Sequence, residues 1–363
     1  MNARYDLTPQ MLEYDRLGTI WLPYLMFFHS PNYASGVVNT DSRGFRLTHG
    51  REGVVNGREG LSNASLCLFV GGSSAFGVGA SSDRFTIPSL LNQRTHDTWV
   101  NYGGRAFSST QELLLVLLYS RHRGIEKVII FSGVNDLILF FLADCPHREL
   151  GAFFSWNRFN QAMNQSAAKS WKRKGLELVL KRFYGDSIDY ERITRKELLN
   201  ILMGRGKQVN PAGFTPKSDG VSIVPSTRSV DDVVHLLHHN LSLWKQLSVS
   251  WNFKLTYVLQ PLSDWLDRKL SHEEEALFNY LSMEPANIWQ TIQKHVSSSE
   301  RYAWYVGHIR AACYELGIDF FDMNKHFAAQ DLGGRWLFVD RVHLGDAGNC
   351  VVADALTKEV LCD

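Results

Sequence analysis

Two segments far apart in this 363-residue chain carry the residue types that acyl-transfer chemistry needs. The first is Gly71-Gly72-Ser73-Ser74-Ala75-Phe76-Gly77-Val78-Gly79, which follows the unbroken apolar run Leu66 to Val70. Glycines on this side of a serine let the chain turn sharply off the C-terminal end of a buried strand. Open α/β sheets place their sites there, which puts Ser73 at a crevice. A serine hydroxyl is a weak nucleophile until a base takes its proton. The second segment, Asp340-Arg341-Val342-His343, supplies an imidazole and, three residues before it, a carboxylate to hold that ring and stabilise its protonated form. A phosphate-binding G-x-x-x-x-G-K-[ST] loop is excluded because Val78 stands in the lysine position, and no G-x-G-x-x-G can be drawn through these glycines. Alone, each segment has a plainer alternative: a glycine-rich turn around Ser73, and a helix-capping Asp340 beside one of 13 histidines.

Two further segments add donors. Phe131-Ser132-Gly133-Val134-Asn135-Asp136 follows a second buried run, so the Asn135 amide is expected in the same crevice, where it could donate to a developing oxyanion. A helix-capping Asn/Asp pair is the alternative there. Asn101-Tyr102-Gly103-Gly104-Arg105-Ala106-Phe107-Ser108 sits in a third strand-to-helix turn, where backbone N–H groups can serve an anion.

In this order the four segments resemble the blocks of the SGNH (GDSL-type) hydrolase superfamily. Gly71-Gly72-Ser73 with Phe76-Gly77 is similar to its nucleophile block, and Asn101-x-Gly103 through Gln111 to its second. Gly133-Val134-Asn135-Asp136 resembles its G-x-N-D block, and Asp340 to His343 its D-x-x-H block. The resemblance implies a flavodoxin-like three-layer α/β fold. It also implies Ser73 as nucleophile, His343 as base, Asp340 as its orienting partner, and an oxyanion hole made by Ser73, Ala106 and Asn135. Two positions depart from the pattern: Gly72 replaces the usual aspartate, and Ala106 stands where the second block has glycine, adding a methyl that narrows the pocket. The resemblance covers about residues 63–140 and 230–363.

The elements that must position these residues show in the hydrophobic pattern. Buried strands are expected at 66–71, 127–132, 253–259 and 318–322, and helices at 110–121, 230–249, 302–316 and 347–360. Alternating strand and helix argues for an α/β doubly wound parallel sheet. Residues 1–62, rich in turn formers and aromatics, are expected to form loops and short strands as an N-terminal extension that caps the hydrolase domain, 63–363. Alternation fails over about 144–228, which reads as a helical insertion with helices near 176–183 and 193–203. Within it, residues 169–207 hold eleven Lys/Arg against five Asp/Glu, more simply a solvated lid than an anion cradle.

Composition narrows the partners. A 45% hydrophobic chain can bury a sizeable core, and 38 basic against 37 acidic residues give no global reason to bind nucleic acid. Five scattered cysteines without C-x-x-C point to reduced thiols, hence a cytoplasmic location and no zinc site. The longest early apolar run, Ile20 to Phe28, is interrupted by Pro23 and falls short of the roughly 20 residues a membrane span needs. His235-x-x-His238-His239 has ligand-like spacing but lacks the H-E-x-x-H glutamate and a third ligand, so a solvated helix face is expected and no metal or cofactor. Ten tryptophans offer at best a groove for a sugar or lipid. The expected function is a serine esterase that removes a short, acetyl-like acyl group from a carbohydrate or other small-molecule ester. The alternatives are an O-acyltransferase with the same triad and a non-catalytic binding module on this scaffold.

Overall fold

The computed structural model describes residues 3–51, 53–55, 65–120, 124–142, 229–283 and 293–362, together with short helical stretches between 159 and 182. Its centre is a five-stranded parallel sheet of β5 (Leu66–Gly71), β6 (Trp99–Gly103), β7 (Ile125–Ser132), β8 (Lys254–Leu259) and β9 (Asp319–Asp322), ordered β6-β5-β7-β8-β9. That is the 2-1-3-4-5 order of flavodoxin-like sheets. β1 (Thr19–Leu22) pairs antiparallel with β2 (Met26–His29), and β3 (Thr48–Gly50) with β4 (Gly53–Val55), in two hairpins that precede the sheet.

The strands are apolar on both faces because both are covered. Leu68 and Val70 of β5 enter one core with α5 (Ser109–Tyr119), α6 (Val134–Leu142), α7 (Asp231–Trp251) and α9 (Ser299–Leu316). Cys67 and Phe69 point the other way, into a second core with α4 (Ile87–Arg94), α8 (His272–Met283), α10 (Met323–Ala328) and α11 (Asp346–Ala355). The period-2 alternation of one strand thus separates two helical layers, giving a three-layer α/β architecture. Among the described residues no helix is long and apolar enough to cross a membrane.

The expected strands and helices fall within a few residues of those observed. The N-terminal region differs: α1 (Ala3–Leu7) and α2 (Met11–Arg16) occupy part of a stretch whose turn formers suggested loops and strands. Met11 and Tyr14 of α2, with Leu17, pack on Phe76, Val78 and Val339, and that tertiary burial stabilises helices too short to stand alone. Helix α8 lies outside the expected elements: its first turn is His-Glu-Glu-Glu, and it buries Leu277 and Phe278 in the second core. The chain divides into two compact units, 1–154 with 227–363, and 155–226. Described helical residues within 174–182 fall in the second unit; the helix expected at 193–203 lies outside the described residues.

One buried ion pair fastens the N-terminal region to the sheet. Arg46, wholly buried, donates from Nε to Asp83 Oδ1 at 2.7 Å and from Nη1 to the carbonyls of Phe76 (3.1 Å) and Gly77 (2.7 Å). Nη1 also reaches the Tyr14 hydroxyl, Nη2 donates to the Val37 carbonyl, and Asp83 Oδ2 accepts from Asn39 Nδ2 at 2.7 Å. Both charges are buried and paired with each other, so removing one partner leaves an uncompensated buried charge. Arg46→Leu or Asp83→Leu should each lower unfolding free energy by about 3–5 kcal/mol in urea denaturation. The double variant Arg46→Leu/Asp83→Leu should lose much less than the sum; additive losses would show that the charges do not depend on one another.

Candidate active site

The strand order reverses between β6 and β7 on either side of β5, and the candidate residues lie at this switch point, beyond the C-terminal ends of the strands. β5 ends at Gly71, where a Cβ would fall 2.1 Å from the Phe131 carbonyl oxygen of β7. Only glycine fits that approach. The chain turns through Gly72 into α3 (Ser73–Phe76), a single turn whose first residue is Ser73 and whose opening N–H groups have no intrahelical acceptor. A Cβ at Gly72 would stand 2.4 Å from Asn135 Nδ2, so an aspartate there would require the Asn135 amide to move.

Asp340 and His343 sit on a tight loop closed by a bridge between Phe338 and Leu344, with the Val339 N–H donating to the His343 carbonyl at 2.9 Å. Asp340 does not cap the following helix, whose N-cap is Gly345. Its Oδ1 accepts the N–H groups of Val342 and His343, both at 2.8 Å, while Oδ2 lies 2.7 Å from His343 Nδ1. His343 Nε2 lies 2.7 Å from Ser73 Oγ. A carboxylate only accepts, so Nδ1 carries the proton and the Nε2 lone pair faces the serine hydroxyl. Burial alone would push the Asp340 carboxyl up; the electrostatic pull of the neighbouring His343 ring, its hydrogen bond and the two N–H donors outweigh burial and hold it down at about 2. The loop is anchored from outside by the Ser263 N–H on the Arg341 carbonyl (3.0 Å) and by Arg341 Nη1 on Asp264 Oδ1 (2.6 Å).

Loop 104–107 follows β6. Gly104 N–H donates to the Gly71 carbonyl at 2.9 Å, and Asn135 Nδ2 donates one hydrogen to the Phe107 carbonyl at 2.8 Å, leaving its second hydrogen. Asn101 Nδ2 reaches the carbonyls of Ala75 and Phe76 at 3.1 and 3.2 Å, tying β6 to α3. Ala106 has φ +57°, the left-handed region that costs an alanine about 1 kcal/mol and costs glycine nothing. The strand-end segments carrying Ser73, Ala106 and Asn135 are therefore linked by hydrogen bonds to one another. A fourth strand end joins them through Gln260 Nε2 on Ser74 Oγ at 3.2 Å, a contact spanning 186 positions that no local pattern announces.

No protein-family model matches the chain, and no curated protein matches its sequence significantly. Similar solved structures include an acetyl xylan esterase, AlAXEase, at 13% identity and TM-score 0.39, covering 82% of this chain and 99% of that one. A lipase/acylhydrolase from Enterococcus faecalis aligns at 10% identity and TM-score 0.41, covering 82% and 95%. Overlays this loose say nothing about activity; the chemistry must come from this chain's own residues.

Other clusters offer less. His238 Nε2 faces Glu315 at 3.3 Å on an exposed surface. Among the described residues one trio, Cys67, Asp97 and Glu126, brings ligand atoms within metal-binding reach. It lies at the opposite end of the strands from Ser73. Lys127 pairs with Asp97 at 2.9 Å, and burial pushes the Cys67 thiol up to about 12, which keeps it protonated.

Beneath Asn135 lies a pair of buried acids. Asp136 accepts the Ser109 N–H (3.1 Å) and hydroxyl (2.9 Å), and Glu112 Oε1 accepts the Ser132 hydroxyl at 2.7 Å. Burial raises both: Asp136 to about 6 and, with the added charge of Asp136, Glu112 well above the ordinary glutamate range. The folded protein therefore holds more protons here than the unfolded chain, so stability is present at low pH and falls as pH rises above the unfolded carboxyl values. Glu112→Gln keeps the side-chain shape and the Ser132 bond while removing the ionisation. Its melting temperature should match wild type at and below about pH 4 and exceed it progressively toward pH 9. Parallel curves for the two proteins would contradict the assignment.

Proposed function

We propose that the protein is an SGNH-type serine esterase. What supports this is a single observation: an uninterrupted hydrogen-bonded line, Asp340 Oδ2 to His343 Nδ1 and His343 Nε2 to Ser73 Oγ, both links at 2.7 Å. His343 Nε2 takes the hydroxyl proton as Ser73 Oγ bonds to the ester carbonyl carbon. The carbonyl oxygen becomes an oxyanion, received by the N–H groups of Ser73 and Ala106 and the free hydrogen of the Asn135 amide. The alkoxide then leaves with the proton from His343. Water, deprotonated by the same ring, attacks the acyl-Ser73 carbonyl; the bond to Ser73 Oγ breaks, the ring returns its proton to that oxygen, and the acid is released. Asp340, kept ionised by its three donors, supports the imidazolium in each half of the cycle.

The acyl group in this reading is short and acetyl-like. A carbohydrate or other small-molecule ester is the substrate class. A second reading is O-acyl transfer, in which a sugar or metabolite hydroxyl takes the place of water in resolving the acyl-Ser73 intermediate. The products distinguish the two: free acid for hydrolysis, acylated acceptor for transfer.

Hydrolysis of aryl acetate, butyrate and octanoate by purified protein tests the assignment. Wild type should prefer acetate, Ser73→Ala should fall to background, and Asp340→Asn should lose kcat by roughly 10³–10⁴ with its fold intact. Equal turnover by wild type and Ser73→Ala would overturn the nucleophile.

A further inference from the structure

The N-terminal region lies outside every motif block, yet it reaches the loop that follows β6. His29, the last residue of β2, is buried, and its ring stands 4.0 Å from that of Phe76 in α3. Its Nδ1 is 2.9 Å from the Gly44 carbonyl oxygen, an obligate acceptor, so Nδ1 carries the hydrogen. Its Nε2 is 3.1 Å from the Arg105 nitrogen and accepts that N–H. Only the neutral ring in this one tautomer can make both bonds. Burial first, and then the nearby charges of Arg105 and Arg46, hold the imidazole well below its ordinary value, in keeping with that neutral state.

Arg105 is tied at its other end as well. Its guanidinium donates to the carbonyls of Tyr14 (2.7 Å), Leu17 (2.7 Å) and Gly18 (3.1 Å), at and just beyond the C-terminus of α2. The next residue is Ala106, at φ +57°. An alanine stays in that region only where its surroundings over-determine it, and the flanking restraint on this side comes from His29 and the 14–18 carbonyls.

We propose that His29 is a positioning residue for the oxyanion hole: by accepting the Arg105 N–H it holds loop 104–107 in the left-handed turn that presents the Ala106 N–H to the acyl oxygen. The N-terminal region is then a working part of the active centre. The kinetic consequence rests on the serine-esterase reading; the restraint on the loop does not.

Two conservative variants separate the roles of the ring. Glutamine places its amide oxygen where Nε2 stands and keeps the acceptor for Arg105. Asparagine places its amide nitrogen where Nδ1 stands and keeps only the donor to Gly44. On aryl acetate, His29→Asn should lose kcat by about tenfold to a hundredfold with KM within about twofold of wild type, as expected when a donor is misplaced rather than removed. His29→Gln should stay within about threefold. Peptide-resolved amide hydrogen exchange over 102–108 should accelerate in His29→Asn and not in His29→Gln, and this readout needs no activity. Equal kinetic losses in both variants, or unchanged exchange over the loop in His29→Asn, would overturn the proposal. If wild type proves inert on esters while exchange behaves as described, the esterase reading fails and the positioning of the loop by His29 stands.

Discussion

The point on which the rest depends is the end of β5. There the backbone of Gly71 runs so close to the Phe131 carbonyl that no side chain fits, and its own carbonyl receives the Gly104 N–H. One residue thereby locks three parallel strand ends together at the place where the sheet order reverses. The chain must leave the sheet at once, and the next turn carries Ser73 at its start. Nearby, Asn135 Nδ2 packs against Gly72, and loop 104–107 hangs between Gly71 and Asn135. The imidazole arrives from a loop 270 positions away and meets a serine whose direction the sheet has already set.

The same residue type is pushed in opposite directions at two positions, and the partners decide which. Asp340 accepts two backbone N–H groups and the imidazole, and those donors overcome burial and keep it ionised. Asp136 accepts donors too, but the Glu112 carboxyl sits in the same interior, and burial raises both. Arg46 and Asp83 resolve the same problem by pairing. Ionisation is therefore favoured where donors or a counter-charge outweigh burial, and in the triad that charge is the one the chemistry uses.

Much of this was legible in the sequence because the relevant signals are local. The runs 66–70 and 128–131 are apolar on both faces, and their turns end in glycine, so strand ends and site residues could be placed together. The D-x-x-H spacing suits a tight loop in which a carboxylate reaches both backbone and ring. What could not be read is carried by contacts between distant positions. His29 meets Arg105 across 76 residues, Arg46 meets Asp83 across 37, and Gln260 meets Ser74 across 186. Nothing in the local pattern around His29 or Arg46 separates them from surface residues. Short helices such as α1 and α2 owe their existence to the surfaces they cover, so composition alone suggested loops there.

The most direct measurement of the central claim is covalent capture. A phosphonofluoridate forms a phosphorus–oxygen bond with an activated serine as fluoride leaves, and intact-mass and peptide analysis locates the adduct. The account predicts one adduct per chain, on Ser73, formed quickly in wild type and scarcely at all in His343→Ala. An adduct on Ser74 or elsewhere, or equal labelling of Ser73 without His343, would contradict it.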